Sequence, residues 1–133
     1  MAYKVEWEIP EAVLSLKLSG AVTFDDFVEI DRLINEKIKQ LDSQAVIKLL
    51  VDVTHTSSVP QFYQRLSSTQ TYANQMNSPL KHIMIVSGDN KLMRLVMLLV
   101  FNLCRPTLLF FKSHDQALAF ALSSNSVKPQ GSI

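Results

Sequence analysis

Hydrophobic and polar residues alternate one by one near the start of the chain. Over residues 3–9 apolar side chains occupy the odd positions and charged ones the even positions, a period of two that predicts a half-buried β-strand. A second alternating run starts at Val13, after a break at Pro10 and Glu11. Because so short a break leaves room only for a turn, the two strands are expected to form an antiparallel hairpin.

The period changes after Gly20, where apolar residues begin to recur every three or four positions. This spacing predicts an amphipathic helix. Thr23 and Asp26 have the spacing of a capping box at its start. Acidic residues cluster in its first turn and lysines in its last, as the helix dipole favours. The apolar stripe consists of Phe27, Ile30, Ile34, Ile38 and Leu41.

Apolar runs that predict buried strands then alternate with segments whose turn and cap residues predict helices. Strands are expected over 46–53, 82–87 and 107–112, and helices over 60–76, 91–103 and 113–122. Right-handed crossovers would make the later strands parallel. The order predicts an α/β fold in which a hairpin leads into a mixed, mainly parallel sheet of about five strands with about four helices. Residues 1–122 form the predicted domain, and 123–133 a predicted disordered tail.

Three short segments add to this order. They are an aromatic strand that ends in proline at 5–10, a Leu-X-Gly-X-Val-Thr-X-Asp-Asp segment at 18–26, and an acidic residue before an Ala-rich helix at 115–122. With these segments the chain resembles the STAS superfamily, the sulphate-transporter and anti-sigma-factor-antagonist domains, and looks most like small bacterial single-domain members. The resemblance implies the STAS fold and a regulatory or scaffolding role in the bacterial cytoplasm.

Phosphorylatable STAS domains carry an Asp-Ser pair followed by Gly just before their second helix. Here that place is occupied by Ser57, Ser58, Val59 and Pro60, so both the Asp and the Gly are missing. The simpler interpretation of the two serines is a helix cap. A phosphate on either would nevertheless lie at a predicted helix N-terminus, where the dipole and free amides favour an anion.

The composition is that of one globular domain: 133 residues, 47% of them hydrophobic, with a formal net charge of +1. That balance conceals an asymmetry, because residues 1–36 carry eight acidic and three basic groups whereas residues 37–133 carry four and ten. No dense basic run is interleaved with aromatic residues, so a nucleic-acid partner is not expected. The longest apolar stretch, 95–101, is far shorter than the ~20 residues of a membrane span. The single cysteine, Cys104, excludes an intramolecular disulfide.

Functional side chains of a parallel sheet collect at the carboxyl ends of its strands. The polar stretch after the 46–53 strand supplies a candidate switch or ligand loop, which consists of Asp52, Thr54, His55, Ser57 and Ser58. Asp52, His55 and Ser87 superficially resemble parts of a hydrolase site. The same residue types are common in turns and caps, however, and no nucleophile-elbow motif is present. The sequence therefore predicts no catalytic residue, no metal site and no cofactor.

The helix predicted over 91–103 is apolar on two sides. A rotation of 100° per residue groups one side, which we assign to the sheet: Leu92, Leu95, Val96, Leu99 and Leu103. The other side becomes the candidate interface, an apolar patch with a basic border: Arg94, Met97, Leu98 and Phe101. Its alternative explanation is cover by neighbouring helices or by the tail. An acidic patch of another protomer could guide this interface, and its residues are Asp25, Asp26, Glu29 and Glu36.

Two functions are consistent with this picture. The first is a non-enzymatic regulatory or scaffolding domain that docks a protein partner or a second copy of itself, as a homodimer. The alternative, suggested by a resemblance of STAS-like folds to the lipid-binding lobe of the Sec14 type, is a carrier for a small hydrophobic ligand or lipid. Its cavity would be lined by Phe62, Tyr63, Phe110 and Phe111.

Overall fold

The computed structural model describes residues 2–42, 45–61, 65–66, 69–74, 78–101 and 104–126. Five strands form one sheet in which spatial order follows chain order. The strands are β1 (Tyr3–Ile9), β2 (Val13–Ala21), β3 (Ile47–Ser58), β4 (Leu80–Val86) and β5 (Thr107–Phe111). Strands β1 and β2 pair antiparallel, and every later pair is parallel. The predicted α/β fold, a hairpin followed by alternating strands and helices, is confirmed.

Four helices accompany the sheet within the described ranges: α1 (Phe24–Lys39), α2 (Thr71–Asn74), α3 (Lys91–Val100) and α4 (His114–Ser126). Helix α4 continues to Ser126, so residues 123–126 are helical and were wrongly assigned to the tail. Residues 127–133 of that predicted tail lie outside the described residues, as do parts of the helix predicted over 60–76.

The core has two parts, one on each face of the sheet. The larger part joins α1 and α3 to side chains such as Ile83 and Ile85 of β4. The smaller part joins α4 to the alternate residues of the same strand, Met84 and Val86. Strand alternation therefore decides which helix each side chain meets, and both faces of the central strands are covered as a parallel sheet requires.

Helix α1 follows its sequence pattern closely. Thr23 Oγ1 accepts a hydrogen bond from Asp26 N at 3.1 Å, and Asp26 Oδ2 accepts one from Thr23 N at 2.8 Å, so the predicted capping box is present. Of the predicted stripe, Phe27, Ile30, Ile34 and Ile38 are buried against the sheet, whereas Leu41 lies beyond the end of the helix and is partly buried. Burying each such side chain contributes roughly 1.5–3 kcal/mol, so α1 is a large part of the apolar cover on its side of the sheet.

Strand β3 is longer than its apolar run. It pairs with β4 only as far as the Asp52–Val86 position and then continues to Ser58 beside β2 alone. The stretch expected to be a loop is thus the end of a strand. Two register shifts against β2, each of one extra residue in β3, let this polar end stay paired.

Strands β1 and β5 are the two edges of the sheet. Strand β1 presents charged residues at every second position, and its register shifts between Trp7 and Ile9. Strand β5 has only five residues. Charges, irregular register and short length each make an edge a poor template for another strand.

Candidate functional site

The candidate site lies at the carboxyl ends of β3, β4 and β5, where β3 extends beyond its neighbour. Asp52 Oδ1 accepts hydrogen bonds from Thr54 N at 3.0 Å and from Thr54 Oγ1 at 2.7 Å. These bonds hold the backbone at the place where the β2–β3 register shifts. Asp52 therefore supports the bend of β3, which is the structural role open to an aspartate near a strand end.

The remaining residues of the predicted switch loop lie along the overhanging end of β3. His55, Ser57 and Ser58 are exposed, whereas Thr56 is buried. The carbonyl of Ser58 accepts a hydrogen bond from Val22 N at 2.9 Å. These residues are thus held by a strand ladder rather than by a loop, and the serine side chains are open to solvent.

The three residues that resembled a hydrolase site do not form a relay. Among the described residues, the hydrogen bonds of the Asp52 carboxylate come from Thr54, and none joins Asp52, His55 and Ser87. His114, at the start of α4, lies 3.2 Å from a carboxylate oxygen of Glu8 on β1 instead. A search of the described ranges also finds no group of three His, Cys, Asp or Glu side chains that could hold a metal ion.

An open apolar groove borders the end of β3 and the start of α1. Its volume is about 500 Å³, and Val22, Phe24, Ser58, Val59 and Pro60 are among its lining residues. The Arg65 guanidinium carbon lies 4.7 Å from the centre of the Phe24 ring at its border, a cation–π contact. Ser58 is thus the predicted switch residue that faces a groove.

The face assignment of α3 was wrong. Met97 and Phe101, predicted at the interface, are buried together with Met93 and Val100. The helix is rotated by about a third of a turn from the predicted orientation. Four leucines are exposed as a result, with exposed fractions of 71% for Leu92, 53% for Leu95, 45% for Leu98 and 40% for Leu99. We call these four residues the leucine face.

The physical reason for this error is that both sides of α3 are apolar, so hydrophobicity alone does not choose between them. The sequence pattern predicts Arg94 at the centre of the outer side. In the structure Arg94 is exposed at the border, and its guanidinium carbon lies 4.9 Å from the centre of the Phe110 ring. Of the predicted interface residues, Arg94 and Leu98 are exposed, and Met97 and Phe101 belong to the core.

Two of the four aromatic residues proposed to line a ligand cavity, Phe110 and Phe111, do not share one core. Phe110 packs against the larger core and Phe111 against the smaller one, so they lie on opposite faces of the sheet. Both border a cavity of about 190 Å³ at the carboxyl ends of β4 and β5. Ligand pockets for drug-sized molecules usually have at least about 300 Å³. Phe62 and Tyr63 lie outside the described residues.

The same cavity contains residues that the sequence analysis did not connect. Ser87 and Lys112 flank it, and Lys91 and Arg94 from the first turn of α3 complete the wall. One signal was available, because α3 begins with two cations and no acidic residue in its first turn. This reverses the preference of a helix N-terminus.

Burial makes the thiol of the one cysteine a weak acid. Desolvation raises the pKa of the Cys104 thiol to about 11. The thiol is therefore protonated at neutral pH, the unreactive form.

None of the helices in the described ranges combines the length and hydropathy needed to span a bilayer.

Solved structures with the same fold include two kinds of protein. An uncharacterised protein from Shewanella loihica PV-4 with a SpoIIAA-like fold matches with a TM-score of 0.63 and 16% identity, over 90% of this chain and 92% of that one. The unphosphorylated anti-sigma factor antagonist SpoIIAA matches with a TM-score of 0.56 and 11% identity, over 92% and 99%. The phosphorylated form of the Bacillus cell fate determinant SpoIIAA gives 0.52 and 13%, over 90% and 98%.

These likenesses, at low identity, establish the shared fold. Among curated proteins, no sequence matches. The sequence pattern of the SpoIIAA-like family, in contrast, matches residues 13–122, which run from the start of β2 into α4. This match includes all four parallel strands and the helices between them. The chain belongs to the SpoIIAA-like family.

Proposed function

We propose that the chain is a regulatory docking domain that acts without catalysis and pairs with a second copy of itself through the leucine face of α3. The observation that carries the proposal is the exposure of all four leucines on a helix whose opposite side is buried. Single exposed leucines are common on protein surfaces, but a contiguous group marks an interaction site.

The spacing of the leucine face suits another helix. Leu92, Leu95 and Leu99 are separated by three and then four residues, the spacing of the apolar seam along which helices pair. Such a seam is self-complementary when two copies meet across a two-fold axis. A second copy of the chain therefore satisfies the pattern without any further partner.

The charges of α3 also favour pairing with the same helix of a second copy. Its first turn carries Lys91 and Arg94, and no basic residue lies in its last turn to balance the negative end of the helix dipole. In an antiparallel pair, each basic first turn would lie beside the carboxyl end of the partner helix. That arrangement places positive charge where the dipole favours it.

The expected dimer is weak. Fully burying a leucine contributes roughly 1.5–3 kcal/mol, and each of these leucines is already partly covered, so four of them contribute roughly 3–6 kcal/mol. Association costs an estimated 4–15 kcal/mol of lost freedom before any other contact is counted. The four leucines alone therefore offset only the low end of that cost, and the dimer requires further contacts between the two copies. An experiment must reach about 1 mM, where a net free energy of about −4 kcal/mol becomes visible.

Sedimentation velocity from about 10 µM to 1 mM tests the proposal, since a weak dimer becomes visible in that range. The average mass should rise from that of the 15.0 kDa chain toward twice that value. Leu95→Asp and Leu98→Asp should keep it at the monomer. Val28→Asp is the matched control, because Val28 is 48% exposed on α1 and lies outside the leucine face.

Circular dichroism melting should show that all three variants remain folded. A wild-type chain that stays monomeric at the highest concentration would contradict self-pairing. A mass that rises equally in Leu95→Asp and Val28→Asp would contradict the leucine face as the interface.

The regulatory part of the proposal rests on membership of the SpoIIAA-like family and on similarity to a protein described as an anti-sigma factor antagonist. By the same similarity, the chain would act in signalling in the bacterial cytoplasm. The lack of hydrogen bonds among Asp52, His55 and Ser87 in the described part of the chain supports a role without catalysis.

One observation favours a second candidate, the carrier of a small hydrophobic ligand. The groove of about 500 Å³ beside Ser58 is lined mainly by apolar residues and is within the size range of ligand pockets. Native mass spectrometry of the purified protein separates the two functions. A copurifying lipid would favour the carrier, and a bare chain would favour the docking domain.

A further inference from the structure

The cavity at the carboxyl ends of β4 and β5 has a strongly basic wall. Lys91 and Arg94 belong to the first turn of α3, and Lys112 follows β5. Neither Lys91 nor Arg94 has an acidic partner among the described residues. The carboxylate at this border belongs to Asp89, which is 95% exposed and lies 3.9 Å from Lys112 Nζ. Three cations therefore face one acid across a small volume.

Arg94 is held in place for such a role. Its guanidinium group stacks on Phe110, which is partly buried against the larger core. Stacking fixes the plane of the guanidinium group while its N–H donors stay available to an acceptor in the cavity. A planar donor fork of this kind is suited to two oxygens of one anion.

The first residue of α3, Lys91, lines the same cavity and brings a backbone donor to it. Asn90 Oδ1 accepts the hydrogen bond of Met93 N at 2.9 Å, and the Asn90 carbonyl accepts that of Arg94 N at 3.1 Å. Within the described residues, the N–H groups of Lys91 and Leu92 have no acceptor. Free N–H groups at the positive end of a helix favour a bound anion.

Ser87 supplies a side-chain donor to the same cavity. It is only 4% exposed, it lines the cavity, and its Oγ has no hydrogen bond to any described residue. Its N–H continues the β4–β5 ladder by donating to Phe111 O at 3.1 Å. Strand alternation from Ile83 and Ile85 directs its side chain to the face of the sheet that α3 covers. The Ser87 hydroxyl is accessible from the cavity, where it can donate a hydrogen bond to a bound acceptor.

We propose that this cavity binds the phosphate group of a small phosphomonoester. The phosphate oxygens accept hydrogen bonds from Ser87 Oγ, from the N–H group of Lys91, and from the Arg94 guanidinium group. Lys91 and Lys112 supply further positive charge. A volume of about 190 Å³ holds a phosphate group with a small organic remainder. The ligand class is therefore a small, soluble phosphate ester.

Nuclear magnetic resonance with inorganic phosphate as the probe tests the site. The ¹⁵N-labelled chain is titrated at pH 7 and constant ionic strength, and the backbone amides are followed. The signals of Gly88, Lys91 and Leu92 should shift and saturate, with half-saturation on the order of 1 mM as expected for a few charge-assisted hydrogen bonds. Glycerol 3-phosphate should bind at least as tightly.

Matched variants make the test specific. Arg94→Gln should weaken phosphate binding by roughly tenfold or more, and Ser87→Ala by roughly threefold to tenfold. Lys81→Gln removes the same charge from the exposed amino end of β4 and should change the affinity by less than about twofold, since a distant surface charge is screened. Lys91→Gln provides a second cation variant if Arg94→Gln disturbs the Phe110 contact.

Several results would overturn the proposal. One is the absence of saturable shifts at the start of α3. Another is an equal loss of affinity in Arg94→Gln and Lys81→Gln, which would indicate general attraction to the basic part of the chain. Stronger binding to a phosphoserine hexapeptide or to phosphatidic acid vesicles than to glycerol 3-phosphate would assign the phosphate to a protein or a membrane instead.

Discussion

Helices α1 and α3 cover the same face of the sheet, and each begins with a side-chain cap, yet their sequences follow opposite rules. Helix α1 has acidic residues in its first turn and lysines in its last, and its apolar stripe is buried. Helix α3 has two cations and no acid in its first turn, no cation in its last, and four exposed leucines. The charges of α1 satisfy its own dipole, whereas those of α3 oppose it.

This difference separates residues that stabilise the fold from residues that need another explanation. The capping box, the terminal charges and the buried stripe of α1 all help this helix to form, and its outer residue Arg32 pairs with Glu29 and Glu36 of the same helix. The basic first turn of α3 lowers the stability of the isolated chain, and the exposed leucines add less stability than full burial would give. Features that cost stability are expected at functional sites, so α3 is the better place to look for binding.

The largest effects should come from truncating buried side chains. Phe27→Ala in α1 should lower the free energy of unfolding by about 3–5 kcal/mol and Met97→Ala in α3 by about 2–5 kcal/mol, because each leaves a cavity in the larger core. Leu98→Ala, one residue further along α3, should change it by less than about 0.5 kcal/mol. Urea denaturation measures all three. A Leu98→Ala cost equal to that of Met97→Ala would contradict the rotated face of α3.

Intermediate effects should come from the two helix caps. Thr23→Ala removes the hydroxyl of a reciprocal capping box and should cost about 1–2 kcal/mol. Asn90→Ala removes one accepted hydrogen bond, from Met93 N, and should cost about 0.5–1 kcal/mol. Thermal and urea unfolding should rank the two variants in this order, and Thr23→Ser should restore most of the loss. The reverse order would show that α3, rather than α1, depends more on its cap.

The smallest effects should differ in sign. Lys91→Glu should stabilise the chain by about 0.3–1 kcal/mol, because it replaces a cation by an anion at the positive end of α3. Asp25→Lys makes the opposite exchange in α1 and should destabilise by a similar 0.3–1 kcal/mol. Both differences should shrink in high salt. A Lys91→Glu variant that loses stability at low salt would mean that Lys91 supports the fold.

Much of the fold could be predicted because strand and helix periods are local properties of the sequence. The capping box of α1, its buried stripe from Phe27 to Ile38 and the order of the five strands along the chain are confirmed by the structure. The length of β3 could not be predicted in this way. Its polar end, through Ser58, has the composition of a loop, and it is a strand only because β2 remains beside it after β4 has ended.

Less of the candidate site could be predicted from the sequence, for the same reason. The bond between Asp52 and Thr54 spans two residues and is the kind of local contact that the sequence suggests. The grouping of Ser87, Arg94 and Lys112 depends on where β5 pairs with β4 and on the rotation of α3. Because α3 is apolar on both sides, that rotation is decided by packing against the sheet.

The two edge strands of the sheet, both poor templates for another strand, have a consequence for assembly. Strand β1 offers an approaching chain a row of charges and an irregular register, and β5 offers only five residues. Growth by strand addition, the common route from a stable sheet to fibres, is therefore discouraged at both ends. The chain can keep an apolar helix surface exposed for a specific contact, while its backbone gives uncontrolled aggregation little to build on.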